Sequence, residues 1–228
     1  ATETVMIPAG RRCTACLSVQ VGCPVGCAFC ASGLDGVARD LSAGEILEQL
    51  FHLRSATARK ITHVVLMGMG EPLLNYDATV AAVRAMVDPA RGGISARRVT
   101  VSTVGLPSQI RRLAREDLPI TLAISLHAPN DDLRRQLVPA ARAVSIEALL
   151  AAASDFFACA ARGVQRCTPH TYKEGRVRAS RDKLIQPDQP LAPLDELTCL
   201  LGSVPLGKDA QQRLGARKAQ HYPVVVFQ

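Results

Sequence analysis

The sequence predicts an α/β protein: a partial (βα) barrel of about four βα units, followed by an irregular tail. Three observations predict it. Short, β-branched apolar runs alternate with amphipathic stretches from about residue 16 to 158. The runs end in Gly or Pro, as buried strands do, and the stretches between them repeat apolar residues at helical spacing. Successive strands joined through helices are parallel neighbours, because a parallel pair needs a helical crossover.

In order, "CLSVQVGC" (16–23) reads as a first strand running into a cysteine-rich loop. "SAGEILEQLFHLRSATARK" (42–60) has Ser42 as N-cap and Glu45 three residues on, a capping box that opens a helix. "ITHVVLMGMGEP" (61–72) is a buried strand with its exit loop, and "YDATVAAVRAMVDP" (76–89) is a helix that must stop before Pro89. The pattern recurs in "RRVTVSTVG" (97–105) with "PSQIRRLARED" (107–117). It recurs again in "ITLAISLHA" (120–128), which "PNDDLRRQLVPAARAV" (129–144) separates from the helix-like "SIEALLAAASDFFACAARG" (145–163). Beyond that the character changes. Pro169, Pro187, Pro190 and Pro193 interrupt a stretch with little periodicity, and only "PLDELTCLLGSV" (193–204) and "YPVVVFQ" (222–228) look able to bury themselves. Residues 1–160 are therefore expected to form the core domain, and 161–228 a divergent, basic, Pro-rich tail that orders poorly.

The 228 residues are 48% hydrophobic, enough for one sizeable core, and with aromatics at 4% that core must be aliphatic. No apolar run approaches the roughly 20 residues that cross a bilayer, and "ATETVMIPAGRR" lacks a signal peptide's apolar stretch, so a cytoplasmic protein is expected. The net charge of +7 suits an anionic partner such as nucleic acid. Residues 160–228 hold eleven Lys/Arg against six Asp/Glu, a net of +5, which leaves +2 for the rest. A solvated face is the plainer account of that basic tail.

Eight cysteines without an export signal, five of them between Cys13 and Cys30, point to a metal or redox site rather than disulfides. Thiolates hold zinc or iron–sulfur clusters. Zinc in a structural site takes four ligands, which Cys13 and Cys16 plus any two of Cys23, Cys27 and Cys30 would supply, giving a zinc-stabilised nucleic-acid-binding module. A four-iron cluster on Cys23, Cys27 and Cys30 alone would instead leave one iron open to an outside donor. The strand ends supply further candidates, since βα barrels gather ligands where their strands stop. "GMGEP" (68–72) offers glycines that let a ligand approach and Glu71 to accept from an ammonium; "STVG" (102–105) offers Ser102, and "SLHAPN" (125–130) offers Ser125 and His127. Taken singly, each serine reads as strand-end capping and the histidine as a structural residue.

The CxxxCxxC spacing with Phe29 before the last cysteine resembles the signature of radical S-adenosylmethionine (SAM) enzymes. Together with "ETVMIP", "CLSVQVGCPVGCAFCASG", "LSAGEILEQ", "VVLMGMGEPLLNYD", "RRVTVSTVG" and "LAISLHAPNDDLRRQLVP", it makes residues 3 to about 157 resemble the radical SAM methyltransferases that methylate C2 of an adenine in 23S ribosomal RNA and, in some members, transfer RNA. C8-methylating resistance enzymes are a sister group. The resemblance implies a [4Fe–4S] cluster on Cys23, Cys27 and Cys30, and SAM held by Gly70, Glu71, Ser102, Ser125, Leu126 and His127. It further implies Glu3 as proton acceptor and Cys16 as the thiol that resolves a covalent enzyme–RNA intermediate. In such enzymes one SAM methylates a cysteine near the C-terminus, and a deoxyadenosyl radical from a second SAM activates that methyl group for addition to C2. An RNA substrate, an external electron donor such as flavodoxin, a monomer and no membrane association complete the expectation.

After residue 160 the likeness stops. The motif of the carrier cysteine is missing, and Cys159, Cys167 and Cys199 lack its context. The fifth and sixth βα units, an asparagine of the SAM site and an N-terminal accessory domain are missing too. A shifted reading frame or a truncation is the expected origin of the tail. The chain is accordingly expected to bind a cluster but to methylate RNA poorly. A radical SAM enzyme of another specificity is the enzymatic alternative.

Overall fold

The computed structural model describes residues 2–163 and two short strands further on, Val177–Ala179 and Lys183–Ile185. Its centre is a five-stranded sheet. Strand β1 (Val5–Ala9) runs antiparallel to β2 (Arg12–Cys16) through the two-residue turn Gly10–Arg11, where Gly10 takes φ +54°, as a tight hairpin turn requires. Three strands then add in parallel: β5 (His63–Leu66), β6 (Val99–Thr103) and β7 (Thr121–Ile124), in the spatial order β1-β2-β5-β6-β7. A second ribbon pairs β3 (Gln20–Gly22) with β4 (Val37–Asp40) and closes the neck of the cysteine loop.

Among the described residues five α-helices accompany these strands, the first three as crossovers between them. Helix α1 (Ala43–Ser55) begins in the expected capping box, with Ser42 Oγ accepting from Glu45 N and the Glu45 carboxylate accepting from Ser42 N. Helix α2 (Tyr76–Val87) stops before Pro89, and α3 (Pro107–Leu113) has its proline in the first turn, where no N–H is missed. A short α4 (Asp131–Leu137), capped by the Asn130 side chain, precedes the long α5 (Ile146–Gly163).

Alternation along the strands sets two faces. Cys13, Ala15, Val64, Leu66, Val99, Val101, Leu122 and Ile124 enter the core, against Ile46 and Leu50 of α1, Val83 and Met86 of α2, Ile110 of α3 and Leu149 and Phe156 of α5. The intervening residues, Cys16, Val65, Ser102 and Ala123, share the opposite, concave face. This is the expected partial barrel, cut to four parallel strands.

Four readings change. The run 16–23 is not one strand. The sheet strand is Arg12–Cys16, and after Leu17 bonds to the Val65 carbonyl the chain leaves to pair Gln20–Gly22 with β4. Strand β1 was not foreseen because Pro8 weakens its pattern, yet an edge strand tolerates a proline. Helix α4 occupies part of the stretch read as a connection. Among the tail residues Val177–Ala179 and Lys183–Ile185 pair as a hairpin, where the sequence offered no strand of the core type. The segments 193–204 and 222–228, Cys167 and Cys199 lie outside the described residues. Among the described residues no helix is long and apolar enough to cross a membrane.

Candidate functional site

The cysteine loop is a hairpin excursion between β3 and β4, and glycine makes its neck possible. A Cβ on Gly22, which has φ +82°, would lie 2.1 Å from the Gly36 carbonyl oxygen. Inside the loop Cys30 N donates to Cys27 O at 3.1 Å, and Ala28 N donates to Leu137 O, which fastens the loop to the end of α4. Cys23 and Cys27 rest on a small apolar floor of Val25, Ala128, Leu137 and Val138.

All three thiols are reduced and half-buried. Burial pushes Cys27 up to about 12, with Cys30, Cys23 and Glu71 adding to the rise, so the thiols sit within each other's field. Cys23 is raised as well, mainly by burial. Among the described residues no three metal-ligating side chains come within reach of one ion. A polynuclear cluster takes each thiolate on a different iron, and its sulfurs therefore stand further apart than those around one zinc. The floor also hides a cation. Arg134 is 1% exposed; its Nη2 donates to Val104 O at 2.5 Å and its Nη1 to Val144 O at 3.2 Å, while its Nε has no partner. Desolvating a guanidinium is costly; Asp131 offsets part of that charge, Cys27 also acts on it, and a group bearing several thiolates would compensate it further. The donor set therefore fits an iron–sulfur cluster.

It does not fit zinc on Cys13 and Cys16. Three residues apart on β2, they point to opposite faces, Cys13 into the aliphatic core and Cys16 to the concave side.

The remaining predicted residues gather at the same end of the sheet. Ser102 and Ser125 stand on adjacent strand ends with their hydroxyls 3.4 Å apart. His127 takes φ +62°, a left-handed backbone rarely adopted without cause, and its ring lies 4.5 Å from that of Phe29, tilted by 54°. Burial, followed by the charge of Arg134, lowers its pKa to about 4, so the imidazole is neutral near pH 7. Leu126 is part of the core, which leaves only its backbone for a ligand. Glu3 and Cys16 are neighbours. Val5 pairs with Cys16, Thr4 Oγ1 donates to Cys16 O, and Ser18 Oγ donates to Glu3 O at 2.6 Å. Burial raises the Cys16 thiol pKa, so it is held as the neutral thiol.

Gly68, Gly70 and Glu71 carry a constraint the sequence did not reveal. A Cβ on Gly68 would meet Ser18 Oγ at 2.6 Å, and one on Gly70, at φ +100°, would meet Gln20 Cβ at 2.6 Å. The close approach that these glycines permit is first of all that of the chain's own residues 17–20. Glu71, expected to face a ligand ammonium, is buried and bridges two strand exits. Its Oε1 accepts from Leu73 N at 3.0 Å and its Oε2 from Val104 N at 2.8 Å, and the Thr103 side chain also hydrogen-bonds to the carboxylate. Burial raises its pKa.

Sequence reasoning missed the residues that hold this loop. Ser18 Oγ accepts from Met69 N, Gln20 Oε1 accepts from Glu71 N, and Asn75 Nδ2 donates to the carbonyls of Val19 and Leu41. Gln49 clasps Ser18 through both its N–H and its C=O. The one available signal was Gln49 itself, a polar residue on the apolar stripe of α1. An open groove of about 400 Å³ between α1 and the β3–β4 ribbon, lined by Val21, Arg39, Glu45, Glu48 and His52 among others, holds none of the predicted residues.

Comparison with known proteins agrees with this geometry. The pattern defining the Radical SAM superfamily matches residues 17–160. A probable dual-specificity RNA methyltransferase RlmN of Gloeobacter violaceus is 53% identical over 154 residues, which are 68% of this chain and 44% of that protein. Its counterpart in Rhodopirellula baltica is 49% identical over 162 residues, 70% of this chain and 44% of the relative. A radical SAM methyltransferase from Sphaerobacter thermophilus, known by crystal structure, superposes with a TM-score of 0.66 at 47% identity, covering 71% of this chain and 48% of that one. The chain thus spans a little under half the length of these relatives.

Proposed function

Because the chain belongs to the radical SAM superfamily, whose cofactors are a [4Fe–4S] cluster and SAM, we propose that residues 3 to about 157 form the SAM-cleaving core of an RNA methyltransferase acting on C2 of an adenine in 23S ribosomal RNA and in transfer RNA. One observation carries this reading: the cysteine loop, Gly70–Glu71, the Ser102–Ser125 pair, His127, Glu3 and Cys16 all meet at the end where the parallel strands stop. The names of the similar proteins support the reaction class and the RNA substrate.

Cys23, Cys27 and Cys30 would hold the cluster. When bound, cluster and SAM supply a reducing electron and an open iron site at which the sulfonium is broken. The backbone at Gly70 and Leu126, the Glu71 carboxylate and the hydroxyls of Ser102 and Ser125 would orient SAM's polar groups. The neutral His127 ring, packed at a tilt against Phe29, would add surface without adding charge. Glu3, tied to the Met69 loop through Ser18, would take the proton displaced from adenine. Given a carrier cysteine, Cys16 beside Glu3 would free the product by forming a disulfide with that cysteine as the carrier's sulfur–carbon bond to the RNA breaks, which requires its raised pKa to be overcome first. The electron would come from an external one-electron donor such as flavodoxin. No cysteine after residue 158 has the carrier context, so this chain alone is proposed to cleave SAM without methylating RNA.

The test is anaerobic purification, followed by iron and sulfide analysis and assay of SAM cleavage under strong reductant. The expected result is brown protein with matched iron and sulfide that forms 5′-deoxyadenosine, and loss of both properties in Cys27→Ala. Iron-free protein, or cluster-bearing protein inert toward SAM, would overturn the core of the proposal. Robust C2 methylation by this chain would overturn its last part.

A further inference from the structure

At the opposite end of the sheet, cations stand at the start of three neighbouring strands. Arg11 lies in the β1–β2 turn and Arg12 opens β2; Arg59 and Lys60 lead towards β5; Arg97 and Arg98 lead directly into β6. Register makes them one row. Thr14 lies opposite His63, and Val64 opposite Val99, so β2 starts two residues before the start of β5 and β6 one residue after it, which keeps the three starts at one end of the sheet. Arg59 reaches across to the turn and donates from Nη2 to Gly10 O at 2.8 Å. Adjacent strands lie about 4.8 Å apart, so the row spans on the order of 10 Å.

All six side chains are exposed. Arg39, Arg84, Arg91, Arg111, Arg112 and Arg135 each have a carboxylate partner within 4.0 Å, whereas among the described residues no member of the row has one. His63 stands within the row's field. Its pKa is lowered by burial first, and next by Arg12 and Arg98 on either side. Like charges left together repel and oppose folding, and an anion laid along the row relieves that repulsion.

We infer that this strand-start face, carried by Arg11, Arg12, Arg59, Lys60, Arg97 and Arg98, is a docking surface for the phosphate backbone of structured RNA, separate from the cysteine-bearing end. Five of the six are arginines, whose planar fork matches phosphate oxygens two at a time. The segments 9–12, 57–63 and 95–99 contain no Phe, Tyr or Trp, and His63 is partly buried, so the row offers no exposed platform for stacked, unpaired bases. What remains is a sequence-independent grip on the backbone, which would hold a folded RNA while another part of it reaches the far end of the sheet. The inference shares its RNA partner with the proposed function but none of its chemistry.

Fluorescence anisotropy of a labelled, mixed-sequence RNA duplex titrated with the full chain at several salt concentrations tests it. Arg97→Gln/Arg98→Gln is expected to weaken binding about tenfold near physiological salt and to lower the log–log salt slope by about 2. Arg11→Gln/Lys60→Gln, at the other side of the row, is expected to do the same. Arg111→Gln/Arg112→Gln makes an equal change of net charge on α3, where carboxylates already engage both arginines. It is expected to change binding less than about twofold. If the row variants bind RNA as the α3 control does, the inference is overturned. It is also overturned if they lose affinity for polyglutamate and keep it for RNA, because the face would then belong to an acidic protein. SAM cleavage by the same preparations separates the two ideas: a chain that cleaves SAM without a row effect refutes the docking surface alone, and the converse result refutes the chemistry alone.

Discussion

Where the parallel strands stop, groups that carry charge are buried or half-buried and are held by named partners. Glu71 is fixed by Leu73 N and Val104 N, Arg134 by two carbonyls, and the backbone is drawn into positive φ at Gly70 and His127. Where the same strands start, six cations stand in water with no acidic partner among the described residues, and the positive φ beside them, at Gly10, belongs to a hairpin turn. One sheet thus carries two kinds of site. Chemistry needs groups held in one geometry and shielded from solvent, and strain and desolvation follow from that. A grip on a polyanion needs only a summed field, which solvated side chains supply at little cost to the fold.

The largest expected break in this contrast is Gly70→Ala. The new Cβ would lie 2.6 Å from Gln20 Cβ on a backbone at φ +100°, so a loss of about 2–4 kcal/mol in urea denaturation is expected, with weakened SAM binding. A loss under about 0.5 kcal/mol would mean that the loop is loose and the contrast between the ends is wrong.

A middle-sized effect belongs to the capping box of α1, which also lies at the strand-stop end. Ser42→Ala is expected to cost about 1 kcal/mol by the same measurement. Acid sharpens it. Glu45 is held down to about 2, first by its hydrogen bond with Arg39 and then by Ser42. A folded pKa below the unfolded value stabilises above the ordinary range and ceases to do so as pH falls through the folded value. The stability difference between wild type and Arg39→Gln should therefore shrink from about pH 4.5 towards pH 2. An unchanged difference at pH 2 would show that the pair does not act through Glu45.

The smallest effect is expected at the other end. Arg98→Gln should change stability by less than about 0.5 kcal/mol while weakening RNA binding. A large loss of stability would mean that the row is structural, and the two ends would no longer differ in kind.

Much of this was legible in the chain. Ser42 and Glu45 announce a helix start, Pro89 a stop, and the runs ending in Gly68, Gly105 and His127 mark three strand exits, because caps and breakers act within a few residues. Three thiols at CxxxCxxC spacing announce cluster chemistry for the same local reason. The second half of the first strand run was misread because its apolar residues Leu17 and Val19 are buried in either conformation, and only pairing partners distant in sequence decide between them. Arg134 gave no sign at all; on an exposed-looking helix "DDLRRQL" it is indistinguishable from Arg135, which is exposed and pairs with Asp132.

The order of βα units, the aliphatic core and the inventory of thiols, carboxylate, hydroxyls and imidazole were set by the sequence alone, because each depends on residue type and short-range spacing. The fold decided which of them meet. Antiparallel pairing of β1 with β2 brought Glu3 beside Cys16, and parallel register brought Ser102 beside Ser125 and gathered cations from residue 11 to residue 98 onto one face. It also turned Cys13 away from Cys16. Such meetings depend on side chains far apart in the chain, and their geometry exists only once the strands have paired.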